Sequence, residues 1–285
     1  MKTERTEKTE RTERLSSSFP TFPTSPSFPS CLLWFDPLPR PGFQHMAIDT
    51  ALLDRARQGA APVLRLYRWH PHCLSFGRHE PALRRYDRGR IEARALDVVR
   101  RPTGGRAVWH ANELTYSVTG PIALFGSLRE AYAAVHELLA IALRRLGVPA
   151  LLAPRPVAPA ALDRGACFST PAGGEVVAHG AKLVGSAQVR RDAGLLQHGS
   201  ILLDGKQDVV TAVTRGTPPA AGDTSVSELL KRPVSFDEMA RALVAALAST
   251  RPDRPIGHFA EGEAVLAEAE FHEAQYRDSA WTWSR

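Results

Sequence analysis

Residues 98–118 read VVRRPTGGRAVWHANELTYSV, and the reading of this stretch decides the fold. A strand beginning at Val98 runs into Arg100-Arg101, Pro102-Thr103-Gly104-Gly105 makes a tight turn with basic shoulders, and a second strand starts near Ala107. Adjacent glycines reach positive φ without strain and let backbone N–H groups approach a ligand closely. A glycine pair between strands is equally the mark of a plain structural hairpin, and these residues alone leave both readings open. The spacing fits neither the P-loop nor GxGxxG, so a Walker or Rossmann nucleotide site is not supported.

Further along, residues 166–204 read ACFSTPAGGEVVAHGAKLVGSAQVRRDAGLLQHGSILLD. Within forty residues this segment holds a thiol (Cys167), an amine (Lys182), a GSA turn and an HGS turn. A thiol becomes a good nucleophile when a nearby cation or base favours its thiolate, and Lys182 facing Cys167 would do that. A buried Cys167 beside Phe168, with a solvent-facing Lys182, accounts for the same residue types.

Around these segments the pattern is mixed α/β. Spacing of apolar residues predicts helices over residues 44–58, 81–95, 127–146 and 235–247. The helix over 127–146 has the clearest apolar stripe and is closed by Gly147 and Pro149; Ser235 and Glu238 stand at capping-box spacing at the start of the last. Alternation predicts strands over 62–69, 73–77 and 195–203, and a hairpin over 175–190 turning at His179-Gly180.

RRPTGGRAVWH followed by ELTYSV resembles the first signature of the lipoate–protein ligase and octanoyltransferase superfamily, and GAKLVGSAQVRR followed by LQHGSILL resembles its lysine-bearing second motif. Tyr276 to Trp281 is similar to the family's terminal tyrosine-to-tryptophan signature, so the resemblance covers most of residues 34–285. It implies an α/β (α+β) fold of the biotin/lipoate protein ligase catalytic type, a mixed and largely antiparallel sheet flanked by helices. Two chemistries share that fold: ATP-dependent ligation through an acyl-adenylate, and octanoyl transfer from acyl carrier protein through a cysteine thioester. Arg106 in place of the ligase pattern's third glycine, Cys167 upstream of Lys182, and the chain's end soon after its late helices resemble the transferase branch. Two positions depart from the pattern: an aromatic is missing near Gly174-Glu175, and Ala181 stands where a polar residue is common.

By this resemblance Cys167 is the nucleophile and Lys182 its basic partner. Arg101, Thr103, Gly104, Gly105, Arg106, His110, Gly185, Ser186, Ala187, His198, Gly199 and Ser200 are expected to form the acyl and carbonyl sites. No metal or cofactor is expected; ATP and magnesium belong only to the ligase alternative. The implied partners are octanoyl-acyl carrier protein and a lipoyl-domain acceptor, either the glycine-cleavage carrier or a 2-oxoacid dehydrogenase subunit. Arg84, Arg85, Arg88, Arg100 and Arg101 are candidates for docking these acidic proteins. A non-catalytic acyl-binding module remains the alternative of another class.

Composition sets the outer limits. The 285 residues carry a net charge of +6, and no apolar run approaches the roughly 18 residues of a membrane span. The excess charge is too small, and too little interleaved with aromatics, to indicate nucleic-acid binding. Three scattered cysteines exclude a disulfide framework, and His70, His72, Cys73 and His79 lack a further ligand at zinc spacing, so a reducing cytoplasm is expected. Residues 1–30, a charged repeat followed by six serines and four prolines at intervals of three, are expected to form a disordered tail or to precede the true start. Residues 31–285 form one catalytic domain in this reading.

Overall fold

The structure is a computed structural model that describes residues 28–36, 38–154, 173–216, 222–252 and 255–284. Its first half runs β1 (Leu32–Phe35), α1 (Gly42–Arg57), β2 (Val63–Tyr67), β3 (Cys73–Phe76), α2 (Ala82–Arg85), α3 (Arg88–Ala93), β4 (Asp97–Arg100), β5 (Val108–His110), β6 (Glu113–Pro121) and α4 (Leu128–Arg145). Then come β7 (Leu151–Leu152), β8 (Val176–Ala178), β9 (Ala181–Lys182), β10 (Val184–Arg191), β11 (Gly194–Leu202), α5 (Asp208–Val213), α6 (Val226–Leu230) and α7 (Phe236–Thr250). The chain closes with β12 (Gly257–His258), α8 (Gly262–Arg277) and α9 (Ser279–Thr282).

Six strands form the main sheet in the order β10-β11-β6-β2-β1-β12, antiparallel from β10 to β2 and parallel from β2 to β12. Because side chains alternate, the two faces meet different helices. Leu64, Leu66, Tyr116 and Val118 pack against Val135 and Leu139 of α4 and Met239 and Leu243 of α7. On the other face Val63 and Tyr67 pack with Met46, Ile48 and Leu52 of α1, backed by Val265 and Ala269 of α8. Each fully buried leucine here contributes about 1.5–3 kcal/mol relative to exposure.

The amphipathic helix predicted over 127–146 is α4. The Ser127 side chain accepts from the Glu130 N–H, and the Glu130 carboxylate accepts from the Ser127 N–H, so a full capping box starts it. Gly147, at φ +95°, ends it. Both flanks of the expected sheet hold, and the fold class is the mixed one anticipated. Two local expectations do not hold. Residues 81–95 form two short helices with Tyr86 and Asp87 between them, where Tyr86 bridges to Thr214. The hairpin over 175–190 is confined to β8 and β9; Leu183 then turns the chain into the main sheet, where β10 pairs with β11 through a tight loop at Asp192-Ala193.

The glycine turn is a larger departure. Strands β4 and β5 are not paired with each other: β3 lies between them, parallel to β4 and antiparallel to β5. Residues 101–107 therefore cross the end of β3, and the plain-hairpin reading is excluded. Phe28, the first described residue, falls within residues 1–30 and packs on the fold. It is buried, its ring lies edge-on 6.1 Å from Phe125, and its carbonyl accepts from Arg251, so residues 28–30 pack on the fold.

Candidate active site

The crossing is held by its own backbone. Thr103 O accepts from Arg78 N at 2.7 Å, and Phe76 O accepts from Arg101 N at 2.8 Å. A Cβ on Gly77 would stand 1.9 Å from Gly105 O, so the turn seats directly on a residue without a side chain. Gly105 itself adopts φ +89°. The buried Arg101 guanidinium then donates to the carbonyls of Ser75, Gly104 and Arg106, closing the loop on itself. Arg100, also buried, donates to Gly77, Glu80 and Thr282 carbonyls. Neither arginine is a docking residue: backbone carbonyls hold both inside, where a partner's surface cannot reach them.

Beneath the turn a pocket opens against the α1 face of the sheet. Of the residues expected from sequence, Arg101, His110, Gly185, Ser186, Ala187, His198, Gly199 and Ser200 line it, joined by Met46, Tyr67, Trp69, Val108 and Thr115. Thr103, Gly104, Gly105, Arg106 and Lys182 do not border this pocket. Of the five unexpected residues, Met46, Tyr67, Trp69 and Val108 bring large or branched apolar side chains to the lining. Their place follows from register: Tyr67 faces Thr115 across β2 and β6, and Thr115 faces Ser200 across β6 and β11.

Two buried arrays of hydroxyl, imidazole and carboxylate support the walls. In the first, His198 Nδ1 lies 2.8 Å from Asp49 and its Nε2 lies 2.6 Å from Thr103 Oγ1. Burial holds the His198 pKa below its ordinary value against the pull of Asp49, so the ring is neutral. Burial works to raise the Asp49 carboxyl, but His198 and Arg65 outweigh it and keep the carboxylate ionised. Asp49 can only accept, so Nδ1 carries the ring hydrogen and Thr103 donates to Nε2. In the second array, His110 bridges Glu113 at 2.7 Å and Ser75 at 2.6 Å, with Trp69 stacked on its ring at 4.0 Å. Glu113 also accepts from Ser200 and Thr115. Sequence reading missed both carboxylates; His45 and Asp49, four apart on the apolar face of α1, were the available signal.

Lys182 lies on the opposite, α4 side. Its Nζ donates to Glu175 at 2.7 Å, with the lysine 2% exposed and the glutamate 5%. Gly199 separates the two regions and must lack a side chain. A Cβ there would stand 2.6 Å from both Gly185 O and Ser186 Oγ.

Cys167 lies outside the described residues. The other two thiols are buried and free: burial pushes Cys31 up to about 12 and Cys73 well above the usual range, so both are inert. Among the described residues no cluster of histidines, cysteines and carboxylates is arranged to hold a metal, and no helix is long and apolar enough to cross a membrane.

Curated relatives include octanoyltransferases LipM from Exiguobacterium sp. and from Kyrpidia tusciae. Each is 37% identical, over 85% of this chain and 94% of the relative. Among solved structures, a putative lipoate protein ligase from T. acidophilum with bound lipoic acid superimposes with a TM-score of 0.72 at 22% identity. That match covers 90% of this chain and all of the other, and shows a shared fold. Residues 41–248 match the lipoyl protein ligase A/B catalytic domain family, which spans the glycine turn, the pocket and Lys182, and the chain belongs to that family.

Proposed function

We propose that the protein is an octanoyltransferase that moves an octanoyl group from acyl carrier protein to a lysine of a lipoyl-domain protein in lipoate biosynthesis. The observation that carries this reading is the 37% identity to octanoyltransferases along nearly their whole length. In the proposed cycle the Cys167 thiolate attacks the octanoyl thioester carbonyl and the carrier's thiolate leaves. The acceptor lysine's amine then attacks the enzyme thioester, an amide forms, and Cys167 is released. Thioester exchange is nearly balanced and amide formation runs downhill, so neither ATP nor a metal takes part.

Lys182 serves as the basic partner: as the ammonium it favours the Cys167 thiolate and gives its proton to the carrier's leaving thiolate, and as the amine so formed it takes the proton that the attacking lysine loses, which restores the pair. Its ion pair with Glu175 keeps the ammonium in place in a site too dry for an unpaired charge. The acyl chain lies against Met46, Tyr67, Trp69 and Val108, which present apolar surface in the pocket. Arg84, Arg85 and Arg88 remain as docking candidates for the acidic carrier and acceptor, and the reaction takes place in the cytoplasm.

Intact-mass spectrometry after mixing with octanoyl-acyl carrier protein tests the reading. The expected result is a hydroxylamine-labile octanoyl adduct mapping to Cys167, with subsequent transfer to a lipoyl domain in the absence of ATP. Strict dependence on ATP with free octanoate, or full transfer by Cys167→Ala, would overturn the thioester route.

A further inference from the structure

The α4 face of the sheet carries a chain of buried polar groups that the transfer chemistry leaves unused. Gln197 Nε2 donates to the Tyr116 hydroxyl at 3.3 Å, and that hydroxyl lies 2.7 Å from Ser186 Oγ. Ser186 Oγ lies 2.8 Å from His136 Nε2, and His136 Nδ1 lies 2.7 Å from Gly174 O. One end sets the direction of the whole. A carbonyl only accepts, so His136 Nδ1 carries the hydrogen. Burial lowers the His136 pKa to about 4, which leaves the ring neutral and Nε2 an acceptor. Ser186 therefore donates to His136, and its oxygen accepts from Tyr116, which in turn accepts from Gln197.

The two ends of this chain reach two parts of the site. Ser186 stands in β10 at the pocket wall. Gly174 directly precedes Glu175, the acceptor for Lys182. The same turn is pinned by Gly174 N donating to Ala153 O and Ala153 N donating to Glu175 O. Tyr132, one turn earlier on α4, packs 3.9 Å from the His136 ring and its hydroxyl lies 3.5 Å from Glu175.

We propose that His136 is a positioning residue for acyl transfer: it holds the Gly174-Glu175 turn, and through Glu175 the Lys182 ammonium, in register with the strand that walls the pocket. The role rests on Lys182 being the basic partner of the transfer. His136 contacts no reacting atom in this arrangement. Its contribution is to kcat, because a displaced ammonium still permits binding of both protein substrates but is no longer held where Glu175 places it for its part in the transfer.

The test compares His136→Phe, His136→Asn, His136→Gln and Lys182→Ala in steady-state octanoyl transfer by the full chain. Misplacement of a reacting group by about 1 Å costs on the order of a hundredfold, so His136→Phe is expected to lower kcat by about 10–100-fold with little change in donor KM. Asparagine keeps an N–H near the Nδ1 position for Gly174 and is expected to restore most of kcat; glutamine, whose amide reaches the Nε2 position, is not. Should the phenylalanine variant fail to fold, the asparagine–glutamine comparison decides. Equal kcat in those two, or wild-type kcat in all three, overturns the proposal. Full activity in Lys182→Ala would instead remove the lysine reading on which it rests; an inactive Lys182→Ala beside intact His136 variants removes the positioning role alone.

Discussion

Thr103 donates its hydroxyl hydrogen to His198 Nε2 at 2.6 Å, which ties the glycine turn to a strand 95 residues further along the chain. Behind His198 stands Asp49, and behind Asp49 the fully buried Arg65. The order of hydroxyl, imidazole and carboxylate resembles a nucleophile triad, but Thr103 is wholly buried and lies off the pocket wall. The array is a clamp. It holds the turn from the β11 side, while Arg101, through Ser75 and His110, holds it from the β5 side.

A clamp makes a definite prediction. Thr103→Val removes the donor and leaves His198 Nε2 buried without a partner, which costs about 1–3 kcal/mol. Chemical denaturation will read that loss, and transfer activity will fall because the turn loosens. Thr103→Ser retains the donor and should restore both. A valine variant as stable and active as the parent would show that the turn is held by its backbone alone.

Stability should fall on mild acidification, and His136 gives the sign. Its folded pKa of about 4 lies below its ordinary 6.5 because burial disfavours the charged ring. Between those values the unfolded chain binds the extra proton, so stability declines as pH falls from 6.5 toward 4 and is unaffected by this group above that window. A shift of this size corresponds to about 3 kcal/mol. His198 acts in the same direction, its pKa being lowered by burial. Denaturation midpoints measured across this range should slope less steeply in His136→Asn. An unchanged slope would mean that the ring is not titrating as its burial demands.

The legible parts of this fold are those whose signals are local. Helix α4 announces itself through an apolar stripe, a Ser127–Glu130 cap and a terminal glycine, all within twenty residues. Likewise the HGS and GSA segments can be recognised because Gly199 must let Ser186 and Tyr116 pass over it. What stays hidden is set by pairing at a distance. Nothing near Gly104 says that β3 will insert between β4 and β5, because that choice is made by strand-edge hydrogen bonds from residues 73–76. Glu175 and His136 were illegible for a related reason. Each is an ordinary polar residue in its own segment and gains meaning only from partners seven and fifty residues away.

Cysteine chemistry should be confined to one position. Cys31 and Cys73 are buried with raised pKa values, so neither offers thiolate at neutral pH. Limited iodoacetamide treatment of the folded protein at about pH 8, near the ordinary thiol pKa, should label Cys167 and spare both. Peptide mapping provides the readout. Comparable labelling at Cys73 would contradict its burial in the described core.

Gly199→Ala tests the wall between the pocket and the α4 side. The added Cβ would press within 2.6 Å of the Gly185 carbonyl, which is backbone and cannot swing aside. Overpacking of this kind costs about 1–3 kcal/mol. The strand must shift to relieve it, and the Tyr116–Ser186–His136 chain shifts with it. Transfer activity should therefore drop even at temperatures where the variant is fully folded, which circular dichroism will establish. A folded and fully active alanine variant would mean that the position of β10 is not critical.

The exposed arginines of α2 and α3 supply the last test. Arg84 and Arg88 are exposed, close in sequence to Glu80, whose carboxylate accepts from Ala107 N at the end of the glycine turn. Positive charge beside a site steers acidic proteins toward it, and such steering weakens with salt over a Debye length of about 8–10 Å at ordinary ionic strength. Arg84→Glu combined with Arg88→Glu should raise the donor KM several-fold at low salt and little at high salt, with kcat nearly unchanged. Arg88 also pairs with Glu92 and sits 5.3 Å from the Trp283 ring, so Arg88→Gln is the control for lost packing. If the glutamine control raises KM as much as the double reversal, the effect is local structure and the docking assignment fails. If only the reversal acts, and salt abolishes its effect, then the basic excess on this surface contributes to partner capture.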